Sequence, residues 1–202
     1  MIIENWRTER NLRAGVKFDQ DLARAKRKCE ELEELAPNGK LRPKRDPLPA
    51  ELLDDTDRAA LWNYTGPDAE ALNYMLRREP GNINRAQQLR IDETVRALDK
   101  LPDYQGPVTR RVNLSPEDLA VYKEGGSVTE PQFISSSRSP AAAFDRDVEF
   151  QIVSEHGKSI EEFARKPSEQ EVPFKPGTTF DVQKVEPPDP ITGRIIIKMF
   201  ER

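Results

Sequence analysis

Apolar positions at Phe18, Leu22, Ala25, Cys29, Leu32 and Ala36 alternate four and three residues apart, the spacing that lays them along one stripe of a helix. Pro37-Asn38-Gly39 stops that pattern, and Pro43, Pro47 and Pro49 make residues 40–49 an extended linker. The pattern therefore predicts a helical arm and Pro-rich linker over residues 1–49, followed by a separate body over 50–202. Cys29 falls on the apolar seam and reads as a small buried hydrophobe. Three further helical patterns follow at Ala50–Asn63, Pro67–Arg78 and Ile83–Lys100, with Thr65-Gly66-Pro67 opening the second through a proline in its first turn. After Pro102 the period changes to short alternating runs. Strands are predicted over Val108–Leu114, Gln132–Ser136, Val148–Ile152, Val172–Phe174, Phe180–Val185 and Ile195–Phe200. One short helix interrupts them, with Ser115 as its cap and Asp118 placed to close a capping box. Helices followed by strands, without strand–helix–strand alternation, mean an α+β fold with mixed or antiparallel sheets.

Composition narrows the class. Charged residues make up 34% of the 202 and hydrophobic residues 36%, with a mean hydropathy of -0.78, so the core is modest and the surface heavily solvated. No apolar run approaches the roughly 18 residues of a membrane span. The start, MIIENWRTER, carries charges where a signal peptide needs an apolar stretch. Residues 1–50 hold 12 basic and 9 acidic side chains and the rest hold 20 and 27, so a mildly basic arm precedes an acidic body. That body disfavours polyanionic partners such as nucleic acid. A single Cys and a single His exclude an intramolecular disulfide and a Cys/His zinc site, and no calcium-loop spacing is present, so no metal is expected. There is no Gly-rich fingerprint after a strand and no P-loop.

Three segments of the strand-rich half belong together: Val108-Thr109-Arg110-Arg111-Val112, then Phe133-Ile134-Ser135-Ser136-Ser137, then Glu169-Gln170-Glu171 on a turn before Phe174-Lys175-Pro176-Gly177-Thr178-Thr179-Phe180-Asp181-Val182. An arginine on a first strand, an aromatic-x-Ser-x-Ser strand and an E-x-E turn in this order resemble the arginine/serine/glutamate class of mono-ADP-ribosyltransferases, which includes bacterial toxins and effectors. The resemblance spans roughly residues 60–202 and includes Asn63-Tyr64-Thr65-Gly66 leading into a helix. Thr109 and Arg111 stand where the family often has an aromatic residue and a glycine, and Ser136 where it often has threonine.

The chemistry that the resemblance implies suits these residue types. Breaking the bond between nicotinamide and ribose in NAD develops oxocarbenium character, which a fixed carboxylate stabilises, and Glu171 is the candidate. A pyrophosphate calls for a permanently charged, multidentate donor, the role given to Arg110. Ser135 matches the family's first serine and would hold Glu171 by a hydrogen bond. In the resembled class a glutamate at the first acidic position accompanies arginine acceptors, so Glu169 points to protein arginine. Residues i and i+2 of an extended segment project to one side, roughly 6.6 Å apart at about 3.3 Å per residue, which would face both carboxylates into one cleft.

Elsewhere, Phe144 reads as core and Trp62 and Tyr64 as helix packing, while Arg146 sits in a loop after the serine strand and His156 in an exposed turn. The expected protein is an NAD-dependent arginine ADP-ribosyltransferase with NAD as co-substrate, delivered by a specialised system without a signal peptide into a target cell's cytoplasm. Its producer would need a neutralising immunity protein. The alternatives are an NAD glycohydrolase or nucleic-acid ADP-ribosyltransferase on the same fold, and a non-catalytic interaction protein.

Overall fold

A computed structural model describes residues 52–67, 69–142 and 146–202. The arm and linker read over 1–49, with the Phe18–Ala36 seam and Cys29, lie outside those residues, as does Phe144. Helix α1 (Asp55–Tyr64) begins five residues later than the apolar pattern suggested, because Asp54 caps it. Asp54 accepts from the Asp57 N–H at 2.9 Å while Asp57 accepts from the Asp54 N–H at 3.0 Å, a reciprocal capping box. Helices α2 (Ala69–Arg78) and α3 (Arg85–Asp99) follow, the latter capped in the same way by Asn84 and Gln87. Their apolar faces meet in a cluster that includes Leu61, Tyr64, Ile91, Leu98 and, from the sheet side, Phe133 and Ile160.

Asp57 also joins α1 to α3. It is fully buried, and its carboxylate accepts from Lys100 Nζ and, at 3.1 Å, from Arg96 Nε. Burial alone would push this carboxyl up, but the bonds from Lys100, the Asp54 amide and Arg96 outweigh it and hold the group below the usual carboxylate range. Replacing Asp57 by Ala removes the reciprocal half of the capping box and the buried acceptor shared by Lys100 and Arg96, so Asp57→Ala should lower unfolding free energy by about 2 kcal/mol in urea titration at neutral pH. The difference from wild type should shrink as acidification protonates Asp57 and the native pair is lost. A variant with the wild-type midpoint at neutral pH would remove Asp57 from this structural role.

The strands are β1 (Asp103–Val112), β2 (Ser127–Glu130), β3 (Ile134–Ser137), β4 (Val148–Lys158), β5 (Glu171–Phe174), β6 (Thr178–Val185) and β7 (Ile195–Glu201). They form a mixed seven-stranded sheet in the order β2-β6-β7-β4-β1-β3-β5, antiparallel except between β4 and β7, which confirms the α+β class. Strand β5 ends the sheet and β6 lies next to its other end, yet Phe174 and Phe180 meet edge to face at 5.1 Å. The sheet therefore curls over itself around Phe150, Ile152, Ile197 and Met199. Pro173 is tolerated because β5 is an edge strand. No helix among the described residues is long and apolar enough to cross a membrane.

Several local expectations change. Strand β2 was not visible in the apolar pattern, since Ser127-Val128-Thr129-Glu130 offers one hydrophobic side chain. His156 lies within β4 rather than in a turn, although its side chain is exposed as expected. Its amide and that of Glu155 both donate to the buried Glu201 carboxylate at 2.7 Å. The neighbouring Gly157 is required by close approach: a Cβ there would lie 2.8 Å from Val172 Cγ1 and 3.1 Å from Phe174 Cε1. Ser115 does cap helix α4 (Pro116–Leu119), accepting from the Asp118 N–H at 3.1 Å. The Asp118 carboxylate, however, takes the Arg78 guanidinium at 2.5 and 2.6 Å, so it ties α4 to α2 instead of closing the box. Trp62 is half exposed under the Arg165 guanidinium, 5.1 Å from its ring centre, and is not core.

Candidate active site

Adjacent side chains on β1 point to opposite faces, and the two arginines there have different fates. Arg111 Nε donates to Glu149 on the neighbouring β4 at 2.7 Å. Arg110 turns the other way and donates from Nη1 to the Ser135 carbonyl at 2.8 Å, across the junction where β1 and β3 register through Thr109 and Ser137. Burial pushes the Arg110 guanidinium below its ordinary range, and the nearby Tyr64, Tyr122 and Glu130 only partly offset this. A guanidinium has five N–H donors, so a desolvated one is suited to an incoming anion.

Ser135 Oγ donates to Glu171 Oε1, the bond expected for this pair. Glu171 opens β5 and is buried. Burial raises its carboxyl to about 7; the Ser135 hydroxyl lowers it, the Glu169 charge raises it further and Arg110 draws it back. Arg110, Ser135 and Glu171 thus come together on three adjacent strands from positions spread over sixty residues of chain.

Glu169 comes to the same region by a different geometry from the one expected. It closes a 3-10 turn, Pro167–Glu169, and Gln170 has a left-handed φ of 47°, so the segment is not extended and the two acids are not related by strand alternation. The turn leaves Glu169 partly exposed beside Lys166, at 3.3 Å, while its charge still acts on the buried Glu171. One carboxylate is inside and one is at the rim.

Two residues join that the sequence reading had not assigned to the site. Tyr64, read as packing, does pack against Phe133, with ring centres 5.1 Å apart and the rings tilted by 58°. Its hydroxyl, however, is buried without a hydrogen-bond partner among the described residues, and burial together with Glu171 drives its ionisation well up while Arg110 opposes this. A buried phenol in that state is ready to bond a ligand. Arg77 on α2 lines a pocket with Arg110, Tyr122, Glu130 and Gln132. Asn73, one turn earlier on α2, accepts from the Phe133 N–H through Oδ1 at 3.2 Å and turns that helical face toward the serine strand, a placement that the sequence spacing does not signal. Two guanidinium groups therefore face one pocket, beside the Glu130 carboxylate and above core side chains that include Ile134 and Phe150. Arg146 is exposed, and its carbonyl accepts from Arg194 at 3.0 Å.

The family model described as NAD:arginine ADP-ribosyltransferase matches residues 9–197. Mav of Mycobacterium avium (strain 104), whose name carries an NAD(+)-arginine ADP-ribosyltransferase assignment, is 40% identical over 159 residues, 77% of this chain and 19% of Mav. The NAD(+)-protein-arginine ADP-ribosyltransferase Tre1 of Serratia proteamaculans (strain 568) is 31% identical over 134 residues, 65% of this chain and 29% of Tre1. The chain therefore spans less than a third of the length of either relative. Among solved structures, the type III effector XopAI from Xanthomonas axonopodis pv. citri superposes with a TM-score of 0.64 at 27% identity, covering 98% of this chain and 80% of that one.

Proposed function

Since the chain belongs to the NAD:arginine ADP-ribosyltransferase family, we propose that it cleaves NAD and transfers ADP-ribose to an arginine of a target protein, with Arg110, Ser135, Glu171 and Glu169 in the roles their positions suit. The carrying observation is the linked set in which half-buried Ser135 bonds the buried Glu171 while Arg110 bonds the Ser135 carbonyl. Arg110 and Arg77 receive the pyrophosphate, and the Tyr64 hydroxyl meets a polar group of the bound substrate. The C–N bond to ribose breaks, and nicotinamide leaves with the bonding pair. Ionised Glu171 stabilises the cation at the ribose carbon, and Ser135 keeps that carboxylate in place. A guanidinium is a poor nucleophile until a base takes a proton from it, and the rim position of Glu169 suits a base that meets a protein side chain arriving from outside. The arginine nitrogen then bonds the ribose carbon as its proton passes to Glu169.

This reading places the catalytic unit in residues 50–202, with 1–49 as an arm outside it. It also makes the chain an effector portion delivered into a target cell, whose producer holds a neutralising partner.

The test compares the two arginines. In NAD titrations of the full chain, Arg110→Ala should weaken binding by about 10-fold to 100-fold, the loss of a charge-assisted contact, whereas Arg111→Ala should stay within about threefold. The reverse ranking would place the substrate on the other face of β1 and overturn the assignment.

A further inference from the structure

The three consecutive serines of β3 each bond the acidic segment at a different point. Ser135 Oγ donates to the Glu171 carboxylate, Ser136 Oγ donates to the Val172 carbonyl at 2.6 Å, and Ser137 Oγ lies 2.7 Å from the Glu169 carbonyl. The Arg138 amide adds a bond to the Gln170 carbonyl at 3.1 Å. Only the first of these serines has a place in the mechanism above. Ser137 is buried, and its oxygen accepts the Ser139 N–H at 3.0 Å, which leaves the hydroxyl proton for the carbonyls on its other side. Of these, the Glu169 carbonyl is closer than that of Ser139, at 3.0 Å.

What Ser137 holds is a peptide that would not hold itself. Gln170 is the one non-glycine among the described residues with a left-handed φ. An L side chain persists there only where surrounding bonds compensate the strain. A return of Gln170 to extended backbone would rotate the peptide between residues 169 and 170 and swing the Glu169 side chain relative to Glu171. The hydroxyl of Ser137 and the amide of Arg138 grip the two carbonyls that this rotation would move.

We propose that Ser137 is a positioning residue for the acceptor: by fixing the Glu169 carbonyl it aims the Glu169 carboxylate beside Glu171, and so sets how the ADP-ribosyl cation is shared between arginine and water. The proposal rests on the reading of Glu169 as the acceptor's base. Both products begin with the same step, departure of nicotinamide with the bonding electron pair. In transfer, a guanidine nitrogen donates its pair to the ribose carbon and its proton passes to Glu169. In hydrolysis, water donates the pair and its proton goes to solvent. The ratio of the two products therefore isolates the acceptor side, and a general weakening of the fold would not move it.

The experiment uses the full chain with NAD and agmatine as the guanidine acceptor, following nicotinamide release and ADP-ribosyl-agmatine together. Ser137→Ala should keep acceptor-free hydrolysis within about twofold and lower the transfer-to-hydrolysis ratio about fivefold to tenfold, the consequence of one lost hydrogen bond. The change should appear in the turnover for transfer rather than in the agmatine KM. Ser137→Thr, which keeps the hydroxyl, should restore the ratio. Ser137→Cys, which fills the space with a weak donor, should behave like Ala and serves where the Ala variant does not fold. Parallel loss of hydrolysis and transfer, or an unchanged ratio in Ala and Cys variants, overturns the proposal. Wild-type protein that hydrolyses NAD but never labels agmatine overturns instead the reading of Glu169 on which it rests.

Discussion

Glu171→Gln should bind NAD and fail to cleave it. The amide keeps the shape of the side chain and can still accept from Ser135, but it lacks the charge that meets the oxocarbenium-like transition state, so turnover should fall on the order of 10²-fold or more while NAD affinity changes little. Burial and the Glu169 charge hold the Glu171 carboxyl at about 7, and it must be ionised to act. Wild-type kcat/KM should therefore decline as pH drops through about 7. The same shift has a stability cost of opposite sense. Because the folded protein raises this carboxyl above its unfolded value, ionising Glu171 weakens the fold as pH climbs from the ordinary carboxylate range through about 7. Glu171→Gln should accordingly be the more stable protein above neutrality, by at most on the order of 3 kcal/mol in denaturant titration. A variant retaining about a tenth of wild-type turnover, against the loss expected of a main electrostatic stabiliser, would remove Glu171 from the central role.

Glu169→Gln should separate two activities that Glu171→Gln abolishes together. With Arg110, Ser135 and Glu171 in place, hydrolysis of NAD by water should survive, whereas transfer to arginine should drop by about 10²-fold or more for want of the base. Removing a negative charge that raises Glu171 should also move the acid limb of hydrolysis to lower pH. Hydrolysis and transfer must therefore be compared across the pH range rather than at one value. Equal loss of both at every pH would contradict the division of labour between the rim acid and the buried one.

The fold class was legible because the helical period stops near Pro102 and the alternating period takes over, and the curled sheet follows from strands with one strongly apolar face each. What the pattern missed was held by polar groups. β2 has almost no hydrophobic signal and exists by pairing with β6, and the end of β4 continues because Glu201 supplies the acceptor for the amides of Glu155 and His156. Arg110, Ser135 and Glu171 were readable as a set since each sits in a motif of fixed order. The relation between Glu169 and Glu171 was not, because a left-handed Gln170 is a backbone state that the side-chain sequence does not announce. Tyr64 and Arg77 lie on helices whose spacing explains them as packing or solvated surface. Their facing toward Arg110 depends on how α1 and α2 dock on the serine strand.

The most direct measurement is to incubate the purified full chain with labelled NAD and a lysate of candidate acceptor proteins, and to locate the label by mass spectrometry. ADP-ribose on arginine side chains, matched by nicotinamide release and absent with Glu171→Gln, is the predicted result. Nicotinamide release with no labelled arginine, or label carried by nucleic acid, would contradict it.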